Sequence, residues 1–343
     1  MHFLIVKKGA LGDVVRTSYF AKALKTRFGP LLRLSWITAP ASADLLRLNP
    51  NIDDLWFEFE QAKPFHFDRI FSLDDELETV IGVAALAADS VTGAILQDNR
   101  PAYTRDAAEW FDMGLHSRFG KRRADELKKL NQRSHAQIFS AIFGVEQVRP
   151  EFYLDESCRR WAQANLPKAT RRVGINPYSG GRWPSKELLP LELEQLIARL
   201  LDGSSPFGAG TAVVLLGAGQ DFMKNAALVA RQGVDNLVTI CTDESVQHLA
   251  AAVAGLDYLI SSDSLALHLT IAQDVAFTAF FSPTSAVEID DWGIGTKVVS
   301  TAPDYCSYRK DADNSTITAD RIIAAIRRNP RISGDRSGAA PRG

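Results

Sequence analysis

Cysteine is scarce in this chain of 343 residues, and its three cysteines, Cys158, Cys241 and Cys306, lie far apart with no CxxC spacing. An odd number of isolated cysteines suggests neither a disulfide framework nor a zinc site, and it favours a reducing cytosol. Long apolar runs are also missing, because no stretch approaches the roughly 18 to 20 apolar residues of a membrane helix. The N-terminal apolar run is too short for a signal peptide. We therefore expect a cytoplasmic protein whose membrane contact, if any, is peripheral.

Neither sign of charge is in clear excess. The chain has 39 lysine and arginine residues against 41 aspartate and glutamate residues, a formal net charge of -2 at pH 7. This balance gives no general attraction to nucleic acid, so an anionic partner requires a local basic surface. With 46% hydrophobic and 23% charged residues, the composition is that of an ordinary globular protein, and the length favours two domains.

Short β-rich runs alternate with helical patterns along the chain, which is typical of βαβ units and largely parallel sheets. Residues 144–168 lose this rhythm, as an interdomain segment does, and the cleft is expected there. We predict an α/β fold with domains at 1–155 and 156–317, a C-terminal helix at 318–329 and a disordered tail at 330–343. The predicted strands are 2–7, 32–38, 55–60 and 67–73, then 171–176, 211–217, 236–241, 256–262 and 275–281, and the first-half helices begin near residues 13, 40 and 75.

A glycine-rich loop with basic residues follows the strand at 171–176. Glycine lets backbone amides approach an anion, and a nearby cation adds charge, so this loop suits a phosphate. A plain glycine turn with solvated charges is the alternative interpretation. The residues of this candidate phosphate site are Gly180, Gly181, Arg182, Ser185 and Lys186.

Two further strand ends carry polar side chains. After 256–262, Asp263 or Ser264 is placed to cap a helix whose N-terminal amides suit a phosphate, and His268 follows on the same helix. A lone histidine is more often a half-buried side chain that binds nothing, so His268 depends on Asp263 and Ser264 for its assignment. After 211–217, Asp221 either accepts hydrogen bonds from ribose hydroxyls or caps a helix. The complete GxGxxG pattern is absent here.

In the first half, "GALGD" places Asp13 at a strand-to-helix turn. An acid is unfavourable in a phosphate site, so with the anion held by the other domain Asp13 is free to act as a general base. The alternative is a helix cap. A helix N-terminus would keep such a carboxylate ionised.

Residues 116–135 form a basic segment with seven cations and two acids, preceded by the aromatic "EWFDMGL". This segment suits an anionic acceptor or an acidic membrane face, although a solvated loop and helix has the same composition.

The "DAD" at 311–313 has the form of a metal-diphosphate motif but lies in a polar loop. No other cluster has metal-ligand spacing, so we expect no metal.

Together these segments resemble the heptosyltransferase-type enzymes of glycosyltransferase family nine. "LIVKKGALGDVVRTSYFAKAL" is similar to that family's N-terminal signature and "NPYSGGRWPSK" to its diphosphate loop. "SSDSLALHLTIAQDVAFTAFFSPTS" is similar to its D-[ST]-G-x-x-H segment with the following strand and turn. The family's glycine after Asp-Ser is Leu265 here, and the glycine of its G-P-T turn is Ser282.

The resemblance implies a GT-B fold, in which two Rossmann-like domains face a cleft. The N-terminal domain would hold a lipopolysaccharide inner-core acceptor at the cytoplasmic face of the inner membrane. The C-terminal domain would hold a nucleotide sugar, typically ADP-heptose, as a substrate and without a further cofactor. Transfer would be inverting and metal-independent, with Asp13 as base and Lys186 neutralising the diphosphate. The remaining implied donor contacts are Asp221, Asp263, Ser264, Leu265 and His268. From the basic segment and the turn at Asp13, and not from the resemblance, we predict acceptor contacts at Gly12, Arg118, Lys121, Arg122 and Arg123.

Two other classes compete with this interpretation. A nucleotide-dependent oxidoreductase also has paired Rossmann-like units, but it requires a complete GxGxxG with an acid about 20 residues further on, which neither half shows. A non-catalytic sugar-nucleotide-binding protein of envelope assembly, or a transferase with another donor, is compatible with the bulky Leu265.

Overall fold

The computed structural model describes residues 1–179, 181 and 183–333, and Gly180 and Arg182 of the predicted phosphate loop and the end of the tail lie outside them. The chain forms two compact units. Unit 1 comprises Met1–Tyr153 and Val287–Asp290, and unit 2 comprises Leu154–Ala286 with the described part of Asp291–Gly343. The return of Val287–Asp290 to unit 1 has no counterpart in the sequence prediction.

The main sheet of unit 1 has the order β3-β2-β1-β5-β7-β8. Its pairings are parallel except for the hairpin of β7 and β8. The two-residue hairpin turn has positive φ at Asp98 (50°) and Asn99 (58°), a conformation that these residue types tolerate. The strands are β1 His2–Val6, β2 Arg33–Ile37, β3 Asp54–Trp56, β4 His66–Phe67, β5 Arg69–Ser72, β6 Ala87–Ala88, β7 Val91–Gln97 and β8 Arg100–Tyr103.

The helix predicted from Asp13 begins earlier and is divided in two. The first helix begins at Leu11 with Ala10 as its N-cap, and Tyr19 separates it from the second. The segment predicted as a strand at 55–60 keeps strand structure only to Trp56 and then forms a 3₁₀ turn, Phe59–Gln61. The helices of unit 1 are α1 Leu11–Ser18, α2 Phe20–Phe28, α3 Ala43–Leu46, α4 Leu77–Ala84, α5 Ala108–Phe111, α6 Gly120–Leu130 and α7 His135–Phe143.

The sheet of unit 2 is parallel throughout, with the order β11-β10-β9-β12-β13-β14. Its five predicted strands are present, and β14 is additional. The strands are β9 Arg171–Asn176, β10 Thr211–Gly217, β11 Leu237–Cys241, β12 Tyr258–Ser262, β13 Ala276–Phe281 and β14 Gly295–Val299. The helices are α8 Glu156–Asn165, α9 Pro190–Leu201, α10 Gly219–Gln232, α11 Val246–Ala254, α12 Leu265–Ala272 and α13 Ala319–Arg327.

Helix α8 lies inside the segment 144–168, which was predicted as an interdomain segment without the strand-helix rhythm. Its N-cap is Asp155, whose carboxylate accepts hydrogen bonds from the backbone of Ser157 and Cys158. An aspartate in this position is a standard helix start. The sequence therefore carried a local signal that the two nearby prolines obscured.

Helix α13 is fixed to the sheet of unit 2 through the fully buried Asn329 just beyond its end. The Asn329 amide donates to the hydroxyl of Tyr258 at 3.1 Å and to the carbonyls of Phe277 at 3.0 Å and Ile294 at 3.1 Å. The two N–H groups of this amide are thus shared among three buried acceptors, so the side chain stabilises the end of the chain as well as the sheet.

Both main sheets reverse their strand order once, and Asp13 and Asp263 follow strands that border these points. In unit 1 the reversal falls between β1 and β5, and in unit 2 it falls between β9 and β12. In doubly wound sheets ligands bind outside the carboxyl ends of the strands at such switch points. The predicted α/β fold with Rossmann-like parallel sheets is confirmed.

Candidate active site

Asp13 lies just beyond the switch point of unit 1. Strand β1 ends at Val6, the chain passes through Lys7 and Lys8, and Asp13 is the third residue of α1. Because Ala10 is the N-cap of α1, the interpretation of Asp13 as the helix cap is wrong. Its carboxylate lies in the first turn, where the helix dipole favours negative charge.

Two cations flank the Asp13 carboxylate, and we call Lys7 and Arg16 the flanking cations. Arg16 Nη2 lies 2.7 Å from Asp13 Oδ1, and Lys7 Nζ lies 3.9 Å from Asp13 Oδ2. The Asp13 side chain is 36% exposed, whereas those of Lys7 and Arg16 are 10% and 15% exposed. The cations therefore hold Asp13 from the protein side while its carboxylate remains accessible.

Lys7 is fixed by buried groups. Its ammonium pairs with Asp74, which follows β5 and also accepts a hydrogen bond from the backbone of Lys8. The indole of Trp36 donates to the Lys7 carbonyl at 3.2 Å. Burial acts to lower the pKa of Lys7, but attraction to Asp74 and Asp13 outweighs it and raises that pKa above its ordinary value. Lys7 is therefore a permanent cation at neutral pH.

Arg16, which contacts Asp13 through Nη2, also contacts the segment Val287–Asp290 of unit 1. Its Nη1 lies 3.9 Å from Oε2 of Glu288, a buried residue of Val287–Asp290. The guanidinium also lies 5.4 Å from the ring centroid of Trp110, a cation–π contact. The Glu288 carbonyl accepts a hydrogen bond of 2.8 Å from the backbone of His135. Sequence spacing gave no signal for Lys7, Asp74 or Glu288.

In unit 2, Lys186 and Asp263 are in contact. The Lys186 ammonium donates to the Asp263 carbonyl at 2.9 Å and lies 3.3 Å from its Oδ2, with both side chains 17% exposed. His268 is buried, and its Nε2 lies 3.6 Å from Asp263 Oδ1. The structure therefore brings these three predicted residues together at the start of α12.

Ser264, not Asp263, is the N-cap of α12, but its side chain does not cap the helix. Its hydroxyl instead bonds to Asn176 Nδ2 at 3.1 Å and to Ser261 Oγ at 3.0 Å. Asn176 ends β9 and was missed in the sequence, although a polar residue closing a buried strand before a glycine loop is a usable signal. Leu265, half-buried, is the first residue of α12.

Gly181 and Ser185 are the other described residues of the predicted phosphate site. Gly181 has φ +68, in the left-handed region that glycine adopts without strain. The Ser185 hydroxyl donates to the Arg309 carbonyl at 2.8 Å, which fixes the short 3₁₀ turn Pro184–Lys186. The donor-binding roles of both residues stay predictions.

Asp221 is the third residue of α10, whose N-cap is Ala218, so the cap interpretation is wrong here too. Its carboxylate lies 3.2 Å from Lys224 Nζ. That ammonium in turn lies 4.5 Å from the ring centroid of Tyr178, which follows β9. Asp221 is thus connected to the loop after β9 through Lys224, and its ribose contact stays a prediction.

The basic segment 116–135 is largely a set of local ion pairs. Arg118 pairs with Asp112 at 2.9 Å, Lys121 with Asp125 at 2.5 Å and Arg123 with Glu126 at 3.0 Å. Within the described part of the chain, Arg122 and Lys129 are exposed and have no ion-pair partner. Gly12 is the second residue of α1, next to Asp13. Among the residues predicted to contact the acceptor, Arg118, Lys121 and Arg123 are therefore paired with local acids, whereas the charge of Arg122 is exposed to solvent.

The "DAD" segment is a loop whose Asp311 pairs with Arg309 at 2.6 Å. In the described ranges no group of three or more His, Cys, Asp or Glu side chains is arranged to hold a metal ion. No helix among the described residues is long and apolar enough to cross a membrane.

Two doubly wound sheets with polar side chains at both switch points define the class of a Rossmann-like α/β protein. Over residues 80–317 the chain matches the model of glycosyltransferase family 9 (heptosyltransferase). The chain belongs to this family and is a glycosyltransferase, so the oxidoreductase interpretation is excluded. No curated protein matches it in sequence.

Solved structures agree in fold. The chain is similar to a family 9 glycosyl transferase from Veillonella parvula, with TM-score 0.70, 18% identity and coverage of 94% of this chain and 95% of that one. It is also similar to E. coli heptosyltransferase WaaC with ADP-2-deoxy-2-fluoro heptose, with TM-score 0.62, 16% identity and coverage of 96% and 100%. It is similar, too, to E. coli ADP-heptose lps heptosyltransferase II, with TM-score 0.65, 14% identity and coverage of 98% of this chain and 100% of that one. Identities this low establish the shared fold alone.

Proposed function

We propose that this glycosyltransferase transfers heptose from ADP-heptose to a hydroxyl of a lipopolysaccharide inner-core acceptor, with inversion and without a metal ion. The observation that carries the proposal is the accessible Asp13 carboxylate held between two fixed cations at the switch point of unit 1. The similar E. coli structures, one with an ADP-heptose analogue and one described as an lps heptosyltransferase, support the choice of donor and acceptor.

The donor side of the reaction belongs to unit 2. As the bond between the sugar and the diphosphate breaks, negative charge grows on the leaving ADP. The Lys186 ammonium and the N-terminus of α12 stabilise that charge, since positive groups fixed in advance need no reorganisation during the reaction. Asp263 orients Lys186 through the contacts described above. His268 contacts Asp263 from within α12.

The acceptor side belongs to unit 1. The acceptor hydroxyl attacks the anomeric carbon from the face opposite the diphosphate, so a single displacement inverts that centre. The new bond forms from the hydroxyl oxygen, the electron pair of the breaking bond leaves with ADP, and the hydroxyl proton passes to Asp13. The flanking cations hold the Asp13 carboxylate in position for this transfer.

The basic segment 116–135 is proposed to contact the anionic, lipid-linked acceptor at the inner membrane. Arg122 and Lys129 supply exposed charge on α6. Three apolar side chains of the same segment or its edge are also exposed, at 85% for Leu115, 53% for Phe119 and 65% for Leu130. Mixed basic and apolar exposure suits an anionic glycolipid, which offers charge and hydrocarbon together.

The test is a transfer assay with ADP-heptose and a heptose-acceptor core glycolipid, read by mass spectrometry of the product, with and without EDTA. Asp13→Asn is expected to lower kcat by about 10²–10⁴ while donor affinity is retained, as loss of a general base does. The matched control is Glu78→Gln, an exposed acid in the first turn of α4. Full activity of Asp13→Asn would exclude Asp13 as the base. Loss of wild-type activity in EDTA would exclude metal independence.

A further inference from the structure

Two buried carboxylates lie behind the flanking cations, and we call Asp74 and Glu288 the outer carboxylates. Asp74 pairs with Lys7, and Glu288 Oε2 lies 3.9 Å from Arg16 Nη1. Both outer carboxylates are buried, with 6% and 8% of their surface exposed. They come from different parts of the chain, since Asp74 follows β5 and Glu288 belongs to the returning segment Val287–Asp290.

The charges of this cluster balance. The flanking cations contribute two positive charges and the outer carboxylates two negative charges, so these four groups sum to zero around Asp13. The outer carboxylates offset the charge of the two cations that Asp13 faces at 2.7 and 3.9 Å. Opposite charges this close make a carboxylate harder to protonate and therefore a weaker base.

We propose that Asp74 and Glu288 are positioning residues that fix the flanking cations and cancel their charge, so that these cations orient Asp13 without weakening it as a base. This inference rests on the proposed role of Asp13. It explains why a reaction that needs a proton acceptor places that acceptor against two cations. The outer carboxylates act only through Lys7 and Arg16 and do not touch the substrate.

Other ionisable groups surround the cluster and enter any account of its pH dependence. Tyr19 stays neutral because burial raises its pKa far above the working range. His135 contributes a backbone hydrogen bond to Glu288. The titratable or charged groups on the described elements around the cluster include Lys7, Lys8, Asp13, Arg16, Tyr19, Asp44, Asp74, Glu76, His135, Glu288 and Asp290.

The experiment compares pH profiles of kcat/KM from pH 4 to 9 for the wild type and Glu288→Gln, which keeps the side-chain shape. Removing one compensating charge is expected to move the acid limb down by about one pH unit. The plateau kcat should fall about tenfold, because a weaker base transfers the proton less readily. The donor KM should not change. Glu288→Asp, which restores the charge, should restore the acid limb.

Glu60→Gln on the 3₁₀ turn Phe59–Gln61, an exposed acid paired with Lys63, is the matched control and should leave the profile unchanged. Asp74→Asn is the second variant and should shift the limb in the same direction. The proposal is overturned if Glu288→Gln leaves the acid limb in place, whatever happens to kcat, or if neither protein shows an acid limb. An active Asp13→Asn would instead refute the proposed base, so the two failures are distinguishable.

Discussion

The ammonium of Lys186 is bound to Asp263 at two points, the backbone carbonyl at 2.9 Å and the carboxylate Oδ2 at 3.3 Å. The same carboxylate contacts His268 Nε2 through its other oxygen at 3.6 Å. Asp263 therefore connects the 3₁₀ turn after the glycine loop with the first two turns of α12. A cation held at the start of a helix adds to the positive end of the helix dipole.

Replacing Lys186 should impair catalysis more than folding. Lys186→Met is expected to lower kcat by about 10²–10³, the loss typical of removing one group that stabilises transition-state charge. Lys186→Arg should recover part of it. Steady-state kinetics with varied donor measure the effect, and thermal unfolding checks the fold. Lys168→Met, an exposed lysine of unit 2, serves as the control. Turnover within twofold of the wild type would remove Lys186 from the mechanism.

Leu265 should restrict donor binding. It is half-buried at the first position of α12, where a ligand phosphate would approach the backbone amides. Leu265→Gly is expected to strengthen ADP-heptose binding about tenfold, which raises the ligand-induced increase in Tm. Leu191→Gly, an exposed leucine in the first turn of α9, controls for the effect of glycine on a helix. An equal or smaller increase in Tm would contradict this prediction.

Within the basic segment, the unpaired cations should matter more than the paired ones. The double variant Arg122→Gln with Lys129→Gln is expected to raise the acceptor KM several-fold and to flatten its salt dependence, because exposed charges act through screened electrostatics. Arg123→Gln, whose partner is Glu126, should have a smaller effect. Acceptor KM at two salt concentrations measures this. Identical values for the double variant and the wild type would mean that the segment is only a solvated surface.

Asn329 should be a stability determinant with no direct role in transfer. Asn329→Ala removes a buried amide whose two N–H groups are shared among Tyr258, Phe277 and Ile294. The Ile294 carbonyl keeps the backbone N–H of Phe277, and the Tyr258 hydroxyl keeps Thr278. An unsatisfied buried group costs about 1–3 kcal/mol, so urea unfolding should show a loss of stability in this range. Asn165→Ala at the exposed end of α8 is the control. A loss below about 0.5 kcal/mol, the usual range for surface changes, would contradict the assignment.

The strands of unit 2 could be predicted because buried parallel strands are continuous apolar runs. Strand β10, Thr211–Gly217, is buried along its whole length and was predicted with its observed bounds. Strands β7 and β14 were missed because each is only partly buried and contains glycine. Gly93 in β7 is required by packing, since a Cβ there would lie 1.9 Å from the Ser72 carbonyl. That contact depends on tertiary structure and has no local signal.

Some residues of the candidate site could also be predicted from the sequence, and others could not. Asp13, Lys186, Asp263 and His268 could be proposed because motif order places them at strand ends. The pairing of Lys7 with Asp74 could not, because it depends on the register of β1 and β5, in which Val6 lies opposite Ser72. The next residues of both strands then leave the sheet at the same edge. Spacing along the chain carries no information about such a register.

The short return of Val287–Asp290 affects how the protein can be dissected. The polypeptide passes from unit 1 to unit 2 after Tyr153, back at Val287 and out again after Asp290. A fragment that ends at Tyr153 therefore lacks Glu288 and carries Arg16 without that carboxylate. No single cut yields two complete units, so residues 1–153 expressed alone would be an incomplete form of unit 1.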